Sequence, residues 1–126
     1  MKEIADKVFA DTMSCFIWTS DHIIHPDRFD HWQSHIDEVE LGQPFRDDCD
    51  GCTLTNAEGL ERKGIPKGLI RIIFCETETK EKHLVAGYKH WILDNRQRGL
   101  MYWKDIPYRW ISSMRMNEPR IWRLAT

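Results

Sequence analysis

Arg46-Asp47-Asp48-Cys49-Asp50-Gly51-Cys52-Thr53 places a cysteine where an acidic loop gives way to a helical pattern, and the rest of the chain takes its order from that junction. At a helix N-terminus the unpaired backbone N–H groups and aligned peptide dipoles favour negative charge, so a cysteine there ionises more easily than a free one. Asp47, Asp48 and Asp50 push the other way. Local sequence therefore leaves the reactivity of Cys49 open, and a positive partner, most naturally a histidine from elsewhere in the chain, has to decide it.

On the C-terminal side, Cys49, Thr53, Ala57 and Leu60 fall on one helical stripe that ends at Lys63, with Gly64 as the cap residue and Pro66 as a stop. On the N-terminal side, Ser20 to Pro44 is a long polar approach with a short helical turn expected around Ile36 to Leu41. Its histidines, His22, His25, His31 and His35, are spaced by three, six and four residues, which does not align them on one helix face. A solvated, aromatic-rich loop is the better reading than a metal site, with Trp32 as a wall of the cleft or core. Further back, Lys2 to about Trp18 carries Ala5, Val8, Phe9, Met13 and Phe16 or Ile17 at helical spacing, an amphipathic helix in which Cys15 is a small buried hydrophobe.

The strands are expected after the cysteine helix. Gly68 to Cys75 is an apolar, β-branched run interrupted only by Arg71 and reads as a central strand. His83 to Tyr88 follows as a second strand, Lys89 and His90 as a tight turn, and Trp91 to Asn95 as a third. A hairpin in that order pairs residue 83 with 94 and 84 with 93, so that His83 and Asp94 share a sheet face. A carboxylate so placed fixes the tautomer of an imidazole and stabilises its protonated form. The segment Met101 to Thr126, with Trp103, Tyr108, Trp110 and Trp122, is expected to add one or two edge strands that close the sheet.

Composition bounds the class. A chain of 126 residues with 41% hydrophobic and 30% charged content reads as one soluble globular domain over residues 1–126. A net charge of -2 lacks the broad basic footprint of nucleic-acid or anionic-membrane binding. No apolar run is long enough for a membrane span, and Asp6 and Asp11 break up the N-terminal apolar stretch, so no secretory segment is read there and a cytoplasmic location is expected. The four cysteines are then thiols, metal ligands or a nucleophile before they are disulfides. Cys49-Asp50-Gly51-Cys52 is also a C-x-x-C, which admits a redox motif or half of a zinc site completed by Cys75 and His83. No apolar strand leads into the motif, as a redox fold would require, and the zinc reading lacks a second close ligand pair.

Trp32, Gly42, Asp48-Cys49-Asp50, a helix ending in Gly64-Ile65-Pro66, then His83-Leu84-Val85 and Leu93-Asp94-Asn95 resemble, in that order, the bacterial transglutaminase-like cysteine peptidases. The likeness runs from about Asp21 to Trp122 and implies an α+β, papain-like core in which the nucleophile's helix packs on a small antiparallel sheet. It assigns Cys49 as nucleophile, His83 as general base and acid, and Asp94 as orienter. It further implies a calcium site at Asp48 and Asp50, as in the family's adhesin-clipping members. The usual Gly-Asp-Cys-Glu-Asp signature here reads Asp47-Asp48-Cys49-Asp50-Gly51, with an acid where the glycine stands and a glycine where an acid stands. Short members without a signal peptide are familiar from phage and prophage genomes.

The expected chemistry is acyl transfer. Cys49 attacks an amide carbonyl, His83 moves the proton, and the oxyanion is held by the Cys49 backbone N–H with Gln43 or Trp32 as a second donor. Water then releases the acyl group, or an amine does so in a transglutaminase. The reaction itself requires no cofactor. A peptide, a protein or a peptidoglycan cross-link would serve as substrate.

Overall fold

The computed structural model describes residues 2–19 and 33–125. Helix α1 (Lys2–Cys15) buries Ala5, Val8 and Phe9 of the expected stripe together with Thr12 and Cys15, while Met13 is half-buried. It ends earlier than expected. Phe16–Trp18 forms a strand, β1, parallel to β2 (Phe45–Asp47), with Phe16 opposite Phe45 and Trp18 opposite Asp47. Aromatic and β-branched residues favour a strand once a partner is available, and helical spacing alone cannot register a partner that lies far along the chain. The Thr19 N–H extends this ladder to the Asp47 carbonyl at 2.9 Å, so the loop that feeds the cysteine helix is tied down.

Between them lies the short α2 (Ile36–Glu40), followed by Gly42 at φ 69°. Helix α3 (Cys49–Arg62) starts on Asp48, whose carboxylate accepts from the Asp50 N–H at 3.0 Å. It ends with Gly64 at φ 97°, where the Gly64 N–H bonds the Glu61 carbonyl and the Ile65 N–H bonds the Leu60 carbonyl, closing the last turn. Gly59 lets α1 and α3 approach closely, since a Cβ there would meet Val8 Cγ1 at 2.9 Å.

The main sheet runs β6-β5-β4-β3-β7-β8, comprising β3 (Ile70–Glu76), β4 (Lys82–Tyr88), β5 (Trp91–Leu93), β6 (Met101–Tyr102), β7 (Arg109–Arg115) and β8 (Arg123–Leu124). Every paired neighbour is antiparallel. Ile70, Ile72, Leu84, Ala86 and Tyr88 bury one face against Ala57 and Leu60 of α3 and Val8 and Phe9 of α1. Ile73, Cys75, Val85 and Ile92 face the other way, toward Ile106 and Tyr108. Helix on one face and C-terminal chain on the other make the α+β core that the sequence implies.

The structure corrects three details. Residues 67–69 form a 3-10 turn, so β3 begins at Ile70 rather than Gly68. The C-terminal segment does more than add edges: β7 pairs along β3 and lies inside the sheet, while the two-residue strands β6 and β8 are the edges. Keeping edge strands short is a common protection against unwanted pairing. The β4–β5 register pairs Tyr88 with Trp91 and Ala86 with Leu93, not residue 84 with 93. A two-residue turn at Lys89 and His90 requires 88 to face 91, and Lys89 takes the positive φ of 56° that such a turn needs.

Candidate active site

Cys49 is the first residue of α3 and is half-buried. One turn on, the Thr53 hydroxyl donates to the Leu84 carbonyl at 2.9 Å, which pins the start of the helix to β4 immediately beside His83. Burial pushes the Cys49 thiol up to about 12, the Asp50 and Asp48 charges add to this, and the Leu84 backbone pulls modestly the other way. The helix N-terminus therefore does not make a thiolate on its own. At rest the S–H donates to Asp50 Oδ1 at 3.6 Å.

His83 is buried, with Nε2 2.6 Å from Asp94 Oδ1. The shifted register makes this a diagonal contact: continuing the ladder sets Asp94 opposite Val85, two residues from His83 on the same face. Burial alone would raise the Asp94 carboxyl, but the hydrogen bond and charge of His83, the Tyr108 hydroxyl and the Arg96 backbone outweigh it and hold the group below the ordinary carboxylate range. A carboxylate only accepts, so the hydrogen of this bond lies on His83 Nε2; in the neutral imidazole that tautomer puts the lone pair on Nδ1.

Two residues that sequence reasoning did not single out complete this arrangement. The Tyr108 hydroxyl donates to Asp94 Oδ2 at 2.6 Å, and its ring meets the His83 ring edge-on at 5.9 Å. Burial and the Asp94 charge raise the Tyr108 hydroxyl well above its usual value, so it remains a donor. Arg96 gives its backbone N–H to Asp94 Oδ1 at 3.0 Å and its guanidinium to the Tyr108 oxygen at 2.8 Å, and is itself held by Glu78 at 2.8 Å. The available signal was the second oxygen of Asp94, which needs a donor once buried.

The acidic loop is organised differently from the family signature. Asp47 is almost wholly buried; its Oδ1 accepts from the Asp48 N–H at 2.8 Å and its Oδ2 lies 2.8 Å from His35 Nε2. A Cβ built on Gly51 would fall 1.9 Å from Asp47 Oδ2. The exchanged acid and glycine are thus one feature: the Asp47 carboxylate occupies the space a side chain at 51 would take. His35 stacks on Phe45 at 4.7 Å and is anchored through its backbone N–H on Thr55 Oγ1.

Asp48 and Asp50 lie beside the cysteine as expected, each with one oxygen in the contacts above. Two carboxylates do not by themselves fit calcium, which takes six to eight oxygens, and among the described residues no three His, Cys, Asp or Glu side chains gather as a metal site. That also removes the zinc reading for Cys49, Cys52, Cys75 and His83. Cys52 is buried with its sulfur 3.9 Å from the Met13 sulfur, Cys75 is buried on the far face of β3, and all four cysteines are free. Gln43 is exposed in the turn before β2. Trp32, His22, His25 and His31 lie outside the described residues.

Residues 17–125 match the family model described as bacterial transglutaminase-like cysteine proteinase BTLCP. No curated protein matches the chain. Among solved structures, Legionella pneumophila LapG superposes with a TM-score of 0.73 at 20% identity, over 98% of this chain and 68% of LapG. Its EGTA-treated form gives 0.74 at 20% identity over 99% and 67%, and its calcium-bound form 0.72 at 20% identity over 98% and 68%. At that identity the likeness speaks for the fold.

Proposed function

The chain belongs to the bacterial transglutaminase-like cysteine proteinases and is a cysteine peptidase, and we propose that residues 1–126 work as one domain in which Cys49, His83 and Asp94 cleave an amide bond through a thioacyl intermediate. The observation that carries this reading is the 2.6 Å bond from His83 to Asp94, next to the Leu84 carbonyl on which the first turn of the cysteine helix is fastened. With Nε2–H given to Asp94, Nδ1 is the base that takes the thiol proton. Burial and the neighbouring carboxylates favour the thiol form of Cys49, so the imidazole is needed to draw off its proton as the sulfur attacks the carbonyl.

The thiolate sulfur bonds the carbonyl carbon, and the oxyanion forms near the helix start, where the Cys49 backbone N–H can donate; Gln43 is the candidate for the second donor. His83 returns the proton to the departing amine. Water, deprotonated by the same imidazole, then breaks the thioester and frees the acid. The substrate is a peptide or protein; an added amine competing with water would divert the acyl group as in a transglutaminase. One solved form of LapG is calcium-bound; were this chain to hold the ion, Asp48 and Asp50 would be the ligands beside Cys49, and no step here runs through it.

Turnover of a peptide library by single variants tests the assignment. Cys49→Ser and His83→Ala should abolish cleavage, and Asp94→Ala should reduce it about 10³- to 10⁴-fold by releasing the imidazole tautomer. Cys52→Ser should retain most activity, since the buried Cys52 sulfur packs on Met13 and Asn56 and makes no hydrogen bond to Cys49, His83 or Asp94. Equal loss in Cys49→Ser and Cys52→Ser, with both folded, would point back to a paired-cysteine chemistry.

A further inference from the structure

The sheet face turned away from α3 carries a cleft of about 720 Å³ that the catalytic reading leaves unused. Ile73 and Ile92 floor it, Trp103 and Trp110 line it, and three cations, Arg71, Lys89 and Arg115, rim it. Arg71 is the residue that interrupts the otherwise apolar central strand. It stands directly opposite Arg115 across the β3–β7 ladder, and on its other side it faces Gly87, which offers no side chain.

Two like charges in direct cross-strand register repel. Compensation is only partial: among the described residues, none of the three cations forms an ion pair with a carboxylate. Glu118, whose charge reaches Arg115, is already forked by Arg123 at 3.0 and 3.2 Å. Arg71 is half-buried and is drawn below its usual value by that burial and by Arg115. Its guanidinium is nonetheless oriented, with Nη2 donating to the Lys89 carbonyl at 2.6 Å and no further hydrogen bond among the described residues. The chain carries a net charge of -2, so this concentration of positive charge is local.

We propose that this cleft is an exosite for an acidic segment of the protein substrate, with a carboxylate lying between Arg71 and Arg115 and an adjoining apolar side chain resting on Ile73 and Ile92 between the two tryptophans. A guanidinium fork matches a carboxylate in two-point geometry. A bare phosphate would use the cations but leave the apolar floor uncovered, whereas a peptide uses both. Gly87, which stands opposite Arg71, lies roughly 13 Å along β4 from His83, four residues at about 3.3 Å each. An acidic stretch bound there is therefore separate from the bond being cut and would raise its local concentration. The proposal rests on the chain's being a peptidase, and it does not depend on the assignment of the triad.

The test is fluorescence anisotropy with a labelled pentapeptide of glutamates around a central leucine, measured on the Cys49→Ala protein so that cleavage does not interfere. The peptide should bind, its glutamine counterpart should bind at least tenfold more weakly, and Arg71→Gln or Arg115→Gln should each cost at least tenfold. Arg115→Gln should at the same time keep or raise the melting temperature, because it relieves the repulsion; a purely structural arginine would lower it. Unchanged affinity in both variants would overturn the proposal, as would tighter binding of inorganic phosphate or of a short oligonucleotide than of the peptide. Turnover of an uncharged peptide by the unmodified protein is read separately: failure there with binding intact counts against the peptidase reading alone.

Discussion

Asp94 concentrates more of the site's physics than any other residue, because a buried carboxylate is stable only if each oxygen is answered. His83 and the Arg96 backbone answer one oxygen, and Tyr108 answers the other. Its folded-state value lies below the unfolded value near 4. It therefore contributes stability that is fully present above about pH 4 and is lost as pH falls through the lower folded value. Tyr108→Phe removes one donor to a charged acceptor, which should cost about 1.5–3 kcal/mol at neutral pH. The variant's melting temperature should also fall less steeply on acidification, because Asp94 then titrates nearer its unfolded value. Thermal melts from pH 2 to 6 check this; parallel curves for the two proteins would mean that Tyr108 does not bear on Asp94. Cys49 and His83 were legible in the sequence as residue types in order. Tyr108 was not, because its role depends on which oxygen it meets in space.

At the scale of elements, the N-terminus of α3 pairs an acid at position 47 with a glycine at position 51, the reverse of the signature that the resemblance implies. The exchange of acid and glycine was visible in the sequence, but its coupling was not, since Asp47 and Gly51 meet only when the loop turns into the helix. Gly51→Ala should force Asp47 off His35 and cost about 1–3 kcal/mol, as overpacking a filled site does. Asp47→Gly combined with Gly51→Asp restores the family order. That pair should be more stable than the sum of its single changes and should gain a calcium-dependent rise in melting temperature larger than that of the unmodified protein. Differential scanning fluorimetry with calcium or EGTA measures both, and strict additivity would show the exchange to be incidental. The β4–β5 hairpin teaches the same lesson: its strands and turn were legible, and the register followed from turn length. Seating the centre of the hairpin one position early would have made His83 and Asp94 direct partners, whereas they meet diagonally.

For the whole molecule, local signals carried the helices, the central strand and the hairpin, each built from neighbours in sequence. Long-range pairings were not legible in the same way. β7 joins β3 from more than thirty residues away, and β1 joins β2 across the polar approach, so periodicity within either segment says nothing of its partner. Those pairings matter to function, since β1–β2 holds Asp47 and the chain leading into β7 carries Tyr108. In the proposed mechanism this assembly presents Cys49 to an acyl group with His83 and Asp94 behind it. The most direct test is to mix the protein with an activated acyl ester of a short peptide, quench within seconds in acid, and locate the added mass by peptide mapping. One acyl group should be found as a thioester on Cys49, absent in His83→Ala and strongly reduced in Asp94→Ala. An acyl group on Cys15, Cys52 or Cys75 instead, or equal labelling of Cys49 in all three proteins, would contradict it.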